Sequence, residues 1–304
     1  MLLPVLVFVL LPVLLLVLTL VMLLVPLLVP LLVPLLVLTL SVQGNIGEKG
    51  FKDGLSRIYA LEEGGAVGAM TCELQLPTPA QPTGCPARQA DGVDGCGAHS
   101  HMAAFRKDSL YICDLGNNCV WCYAYDSAAG TASGALSSCA LPPGAGPRHL
   151  AFHPTLPVAY VVAEMASTVT TVAIADDGAL SVAAGAAPLC TLPGEDGRDY
   201  EYRPADGTFL KDFAKTAAEG EDQWSVNSAC AAIRVSPSAK HVLASNRGHD
   251  SLAVFAVDAA TGALSKSGVY PSGGKTPRDF IFVNDALVLV ANQVLLRIHA
   301  VNSL

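Results

Sequence analysis

Four stretches of the sequence repeat one another, and their spacing limits what the chain can fold into. They are His101-Met-Ala-Ala-Phe105, Arg148-His-Leu-Ala-Phe152, Ala231-Ala-Ile-Arg-Val235 and Arg278-Asp-Phe-Ile-Phe282, with first residues 47, 83 and 47 positions apart. A second ladder runs in step: Gly-Ala-Leu recurs at 134–136, 178–180 and 262–264. The doubled interval contains a polar stretch, residues 194–227. A unit of about 40–47 residues built from short alternating strands is the signature of a β-propeller blade rather than of a helical array. The expected fold is all-β, a propeller of about four to four and a half blades.

Segment boundaries follow from the same ladder. Residues 1–42 form an apolar Leu/Val/Pro segment, 43–97 a partial blade and loop, and 98–304 the blades, with an acidic insertion at 194–227. Within the partial blade, residues 52–75 read as an outer hairpin and 76–97, rich in Pro, Gly and Ala, as a loop. A propeller that stops short would leave a long exposed sheet edge. Three further blades are therefore expected upstream, where the apolar tract now stands.

That tract carries no charge and exceeds the roughly 20 apolar residues that span a bilayer. Yet Pro4, Pro12, Pro26, Pro30 and Pro34 interrupt it, and Leu-Leu-Val-Pro repeats three times from Leu23 to Pro34. Each interior proline costs a helix about 3 kcal/mol. No Lys or Arg precedes the run, so it lacks the basic start of a secretory signal. Three readings stay open: a membrane anchor, an unusual targeting segment, or a low-complexity stretch wrongly joined to the coding sequence, the last being favoured.

The formal net charge is −8, and the nine acidic and four basic residues of 194–227 supply −5 of it. An acidic chain without a basic stripe argues against nucleic acid as a partner. The nine cysteines show no disulfide framework, and Cys119-Val-Trp-Cys122 lacks the second pair that a structural zinc site needs. They are expected as reduced thiols acting as small hydrophobes, with no metal and no cofactor.

The repeat also indicates where chemistry would sit. The innermost strand of each blade lines the propeller axis, so His101, Arg148, Ala231 and Arg278 should surround one mouth. Some 13–16 residues later each repeat carries Asp114, Glu164, Asn246 or Asn292, with Arg247 directly after Asn246. Cationic and carboxylate or amide rings converging on one funnel suit an anionic ligand and a proton transfer. Asp114 and the two asparagines also suit turns, closing them through backbone hydrogen bonds. His149 faces either the axis or a neighbouring blade, and His153 and His241 fall at strand ends. Two arginines at such a mouth need an anionic counterpart. Glu164, between Ala163 and Met165, is expected in a setting that raises its pKa.

Six motifs in order at blade spacing resemble the seven-bladed propeller lactonases, which include bacterial-type 6-phosphogluconolactonases and fungal carboxy-muconate cyclases. They are His99-Ser-His101, Asp114-Leu-Gly116, Gly144-Ala-Gly-Pro-Arg-His-Leu-Ala-Phe-His-Pro154, Ala231-Ala-Ile-Arg-Val-Ser-Pro237, Ser245-Asn-Arg-Gly248 and Pro277-Arg-Asp-Phe280. The resemblance implies catalytic roles for His101, Arg148, Glu164 and Arg247. Arginines would hold the anion and the carbonyl oxygen, Glu164 would activate water, and His101 would protonate the leaving ring oxygen. His99, His149, Asp114, Asn246, Arg278 and Asn292 complete the expected substrate-binding set. Two departures stand out: the length of the insertion, and Pro-Ser-Ala-Lys at 237–240, which lacks the glycine of the usual Asp-Gly turn.

The expected function is hydrolysis of an anionic sugar lactone, with 6-phosphogluconolactone in the pentose phosphate route the leading substrate. A muconate-lactonising cyclase and a non-catalytic propeller scaffold are the alternatives. The resemblance implies a cytoplasmic protein, with membrane association if residues 1–40 are a true anchor. Oligomeric state is not legible.

Overall fold

The computed structural model describes residues 37–40, 55–61, 66–77, 98–193 and 228–294. All but the first two residues of the loop expected over 76–97, the insertion at 194–227 and most of the apolar tract lie outside the described residues. Every regular element described is a strand.

The described residues open with β1 (Val37–Leu40), β2 (Leu55–Leu61) and β3 (Val67–Gln75), ordered β1-β2-β3. The hairpin expected at 52–75 is thus β2 and β3, with Leu55 opposite Gln75. One difference concerns the tract, whose residues Val37–Leu40 pair antiparallel with β2 from Ala60 to Arg57.

Three complete blades follow. The first is β4 (Ser100–Arg106), β5 (Ser109–Asp114), β6 (Cys119–Asp126) and β7 (Thr131–Ala140). The second is β8 (Pro147–Phe152), β9 (Val158–Ala163), β10 (Thr168–Ile174) and β11 (Leu180–Val182), with a short β12 (Leu189–Cys190) on the other half of β10. The third is β13 (Ala229–Val235), β14 (His241–Arg247), β15 (Ser251–Val257) and β16 (Leu264–Pro271). The pair β17 (Lys275–Asn284) and β18 (Leu287–Val294) begins another. Within each blade consecutive strands pair antiparallel, and the first strands adjoin in series: β4 beside β8, β8 beside β13, β13 beside β17. This is the β-propeller that the repeat predicts.

The core lies between sheets, which explains the burial patterns. Strands β5 and β9 are buried at every position because a neighbouring sheet covers each face. Along β5 the side chains alternate: Leu110 and Ile112 pack towards Ile58 and Leu74, while Tyr111 and Cys113 pack towards Leu150 and Val161. Tyr160 and Val162 meet Ile233, Val242 and Phe255, and Leu243 and Val254 meet Phe280, Val288 and Val290. Fully burying each large apolar side chain contributes about 1.5–3 kcal/mol. The described cysteines are free, and burial pushes the Cys230 thiol up to about 12, so it behaves as an inert small hydrophobe.

The Gly-Ala-Leu ladder marks a latch between blades. The Tyr111 hydroxyl donates to the Gly178 carbonyl at 2.8 Å, and the Tyr160 hydroxyl to the Gly262 carbonyl at 2.9 Å. Both glycines have positive φ, and a Cβ on Gly262 would come within 2.7 Å of Val158 Cγ2. In the third blade the matching position is Leu243, which has no hydroxyl to offer.

Candidate active site

Each first strand carries a register irregularity at the same point, where it opposes the end of the second strand. The shifts fall between Ser100 and Met102, Pro147 and His149, Cys230 and Ile233, and Pro277 and Asp279. The residues inside them include His101, Arg148, Ala231 and Arg278, the four positions picked out by the repeat. A bulge leaves one residue unpaired and re-aims its side chain, so the anomaly delivers these groups to the site.

Glu164 is the hub. Its Oε2 lies 3.0 Å from Arg148 Nε and its Oε1 2.8 Å from Arg247 Nη2. Each carboxylate oxygen therefore faces one guanidinium in an ion pair. The arginines are fixed in turn by backbone of the third blade. Arg148 Nη1 donates to the Ala231 carbonyl at 2.6 Å, and Arg247 donates to Ala229 and Cys230 carbonyls at 3.2 and 3.0 Å. Glu164 itself is held by its N–H to the Gly146 carbonyl at 2.8 Å, and its own carbonyl accepts from Cys230 N–H. Gly146 has φ of +66°, and a Cβ there would meet Met165 Cγ at 2.6 Å, so the glycine of that motif is required. The arginine side chains are only 6% and 4% exposed against 20% for Glu164, so the carboxylate is the most accessible member. These anchoring carbonyls left no trace in the sequence, since any residue supplies one.

Three imidazoles border this hub. His101 Nε2 stands 3.9 Å from Glu164 Oε2, its ring stacks on His99 and it meets His149 edge-on, with centroids 6.3 and 5.2 Å apart. Burial, reinforced by Arg148, drives His101 down to about 2, and the same causes bring His149 to about 2. Both rings are therefore neutral near pH 7, and the 3.9 Å approach is not an ion pair. Arg148 Nη1 lies 3.1 Å from His149 Nε2. A guanidinium can only donate, so that nitrogen accepts and the ring proton sits on Nδ1.

The expectation of a raised Glu164 pKa is corrected here. Burial is the largest single influence and pushes it up, but Arg247 and Arg148 together outweigh it and hold the carboxyl below its ordinary value. Burial also lowers Arg148, to about 10, which leaves it charged at neutral pH.

The expected second ring is corrected as well. Asp114 opposes Ser100 and Cys119, Asn246 opposes Cys230 and Ser251, and Asn292 opposes Pro277. Their true counterpart in the second blade is Ala163, opposite Pro147 and Thr168, and not Glu164. Glu164 and Arg247 both lie one residue further on. Successive strand residues point to opposite sides, so that step separates fold from site. Asp114 accepts from His99 and Asn117 N–H, Asn117 Nδ2 and Trp121 Nε1 at 2.5–3.0 Å. Asn246 Nδ2 donates to the Thr191 carbonyl and Ser251 Oγ, and Asn292 Nδ2 to the Ser272 carbonyl. All three are buried, and these hydrogen bonds tie their side chains to the turns and strands around them. Arg278 is exposed and lies within electrostatic reach of Glu164 and Arg247.

Repeated antiparallel blades, with a carboxylate clamped between two arginines where the first strands converge, define a β-propeller. The chain belongs to the seven-bladed β-propeller lactonase family: residues 51–194 and 198–302 match the family described as "Lactonase, 7-bladed beta-propeller". It is 32% identical over 196 residues to a 6-phosphogluconolactonase of Bacillus subtilis, covering 64% of this chain and 47% of that protein. It is 34% identical over 118 residues to muconate cycloisomerase 1 of Cutaneotrichosporon cutaneum, covering 39% of this chain and 30% of that protein. A crystal structure of a Lactobacillus plantarum protein aligns with TM-score 0.59 and 27% identity, over 79% of this chain and 58% of that one. The chain spans about half the length of the first curated relatives it matches.

Proposed function

We propose that this site hydrolyses a sugar lactone, with 6-phosphogluconolactone as substrate and 6-phosphogluconate as product, in the pentose phosphate route and in the cytoplasm. The observation that carries the reading is the clamp of Arg148 and Arg247 on Glu164, which is more accessible than either arginine. Arg148 and Arg247 attract the substrate and polarise the lactone carbonyl. Glu164 takes a proton from the water that attacks the carbonyl carbon. The C–O bond to the ring oxygen then breaks, and that oxygen recovers the proton from Glu164. The separation of Glu164 Oε2 from His101 Nε2 lets one oxygen atom lie within hydrogen-bond reach of both. His101, being neutral, contributes a ring hydrogen bond, and Glu164 takes over the acid role that the resemblance implies for His101.

The likeness to a muconate cycloisomerase supports a second substrate class, a muconolactone, on the same groups. Arginines recognise both anions, so the test is a comparison of products. The full chain is assayed with 6-phosphogluconolactone and with a muconolactone, and spontaneous hydrolysis is subtracted. Turnover of the sugar phosphate supports the first reading, and turnover of the muconolactone alone replaces it. Activity on neither favours the scaffold reading.

A further inference from the structure

Three guanidinium groups but one carboxylate gather at the site, and they are not equally engaged. Arg148 and Arg247 are ion-paired with Glu164 and donate to the carbonyls of Ala229, Cys230 and Ala231. Arg278 occupies the equivalent bulge of β17, is exposed, and makes no hydrogen bond or ion pair among the described residues. Its neighbour Asp279 does not neutralise it, because Arg234 Nη2 takes both oxygens of that carboxylate at 2.9 and 3.1 Å. Counting Arg148, Arg247 and Arg278 against Glu164, with His101 and His149 neutral, leaves two positive charges unmatched. A neutral lactone would leave that surplus in place, whereas a dianion cancels it. A guanidinium with an open fork of donors suits the oxygens of a phosphate group.

We propose that Arg278 is the specificity-determining residue of the site: it takes the dianionic phosphate group of the substrate while Glu164, Arg148 and Arg247 act at the lactone ring. This rests on the lactonase reading and adds to it how a phosphorylated sugar lactone is told from an unphosphorylated one. Arg278 is placed at the rim by its bulge, and the reacting groups lie deeper. Its charge reaches both Glu164 and Arg148.

The test uses the full chain and two readouts. Inorganic phosphate is titrated calorimetrically at low ionic strength into the wild type, Arg278→Met and Arg57→Met, the last being an arginine of β2 paired with Glu73. Loss of a charge-assisted contact weakens phosphate binding about tenfold or more in Arg278→Met, and Arg57→Met stays close to wild type. In turnover, the ratio of kcat/KM for 6-phosphogluconolactone over glucono-lactone falls about tenfold or more in Arg278→Met. Unchanged phosphate affinity, or equal loss on both lactones, overturns the proposal. If the wild type turns over neither lactone, the lactonase reading fails, and the phosphate titration alone then decides the role of Arg278.

Discussion

At Glu164 the sequence context and the folded context act in opposite directions. Flanking Ala163 and Met165 suggest an apolar pocket and a raised pKa, and burial does push that way. The two arginines that reverse it come from 16 residues before and 83 after in the chain, so their convergence was legible only as a repeat phase. A carboxylate held low is a weaker base, so it becomes an effective proton acceptor once an arginine turns from it to the substrate anion. The histidines give a pH prediction. Because His101 and His149 have folded pKa values near 2, well under the unfolded value, the unfolded chain alone gains their protons as pH falls below about 6.5. Stability then declines towards acid by about 1.4 kcal/mol per pH unit for each buried neutral histidine. The depressed Glu164 adds stability above its unfolded pKa, lost as pH falls through its folded one. Denaturant melts from pH 7 to pH 5 should show the decline, and kcat/KM should show no limb near 6.5. A rate limb there that disappears in His101→Gln contradicts a neutral His101.

At the scale of strands and turns, the repeat spacing, the hairpin at 52–75 and the four strand-entry positions were all legible, because blade geometry fixes period and phase together. What misled was a single step of pleat. Asp114, Asn246 and Asn292 align with Glu164 by spacing, but hydrogen-bond register aligns them with Ala163. The interblade latches make a stability prediction: Tyr111→Phe and Tyr160→Phe each cost about 1 kcal/mol, since a buried glycine carbonyl loses its donor. Urea melts of the two variants check this, and wild-type midpoints would contradict the latch. The departure at 237–240 has a structural counterpart in Ala239, whose φ is +59° in a turn closed by its N–H on the Ser236 carbonyl at 2.8 Å. A left-handed conformation costs a non-glycine residue about 1–2 kcal/mol. Ala239→Gly should therefore raise stability, by about 1 kcal/mol after the added chain entropy of glycine. A lower melting temperature in that variant would show that the turn stores no strain.

Over the whole molecule, stability and function meet at the seams between sheets. The apolar clusters lie between successive blades, and the site draws on the same seams: His101 from the first blade, Arg148 and Glu164 at the second, Arg247 from the third and Arg278 from β17. No single blade contains the site, so whatever loosens blade packing should reduce anion binding and turnover together. The composition pointed the same way, since a chain of net charge −8 that concentrates arginines at one place presents that place to anions. The most direct test of the central claim, that Glu164 between two arginines is the reacting base, is the rate of 6-phosphogluconolactone hydrolysis by the full chain and by Glu164→Asp. Asp keeps a negative charge between the arginines and withdraws it by one methylene, while circular dichroism verifies the fold. The account predicts acceleration over spontaneous hydrolysis by the wild type and a loss of about 10²-fold or more in the folded variant. A folded Glu164→Asp as fast as the wild type, or a wild type no faster than the uncatalysed reaction, would contradict it.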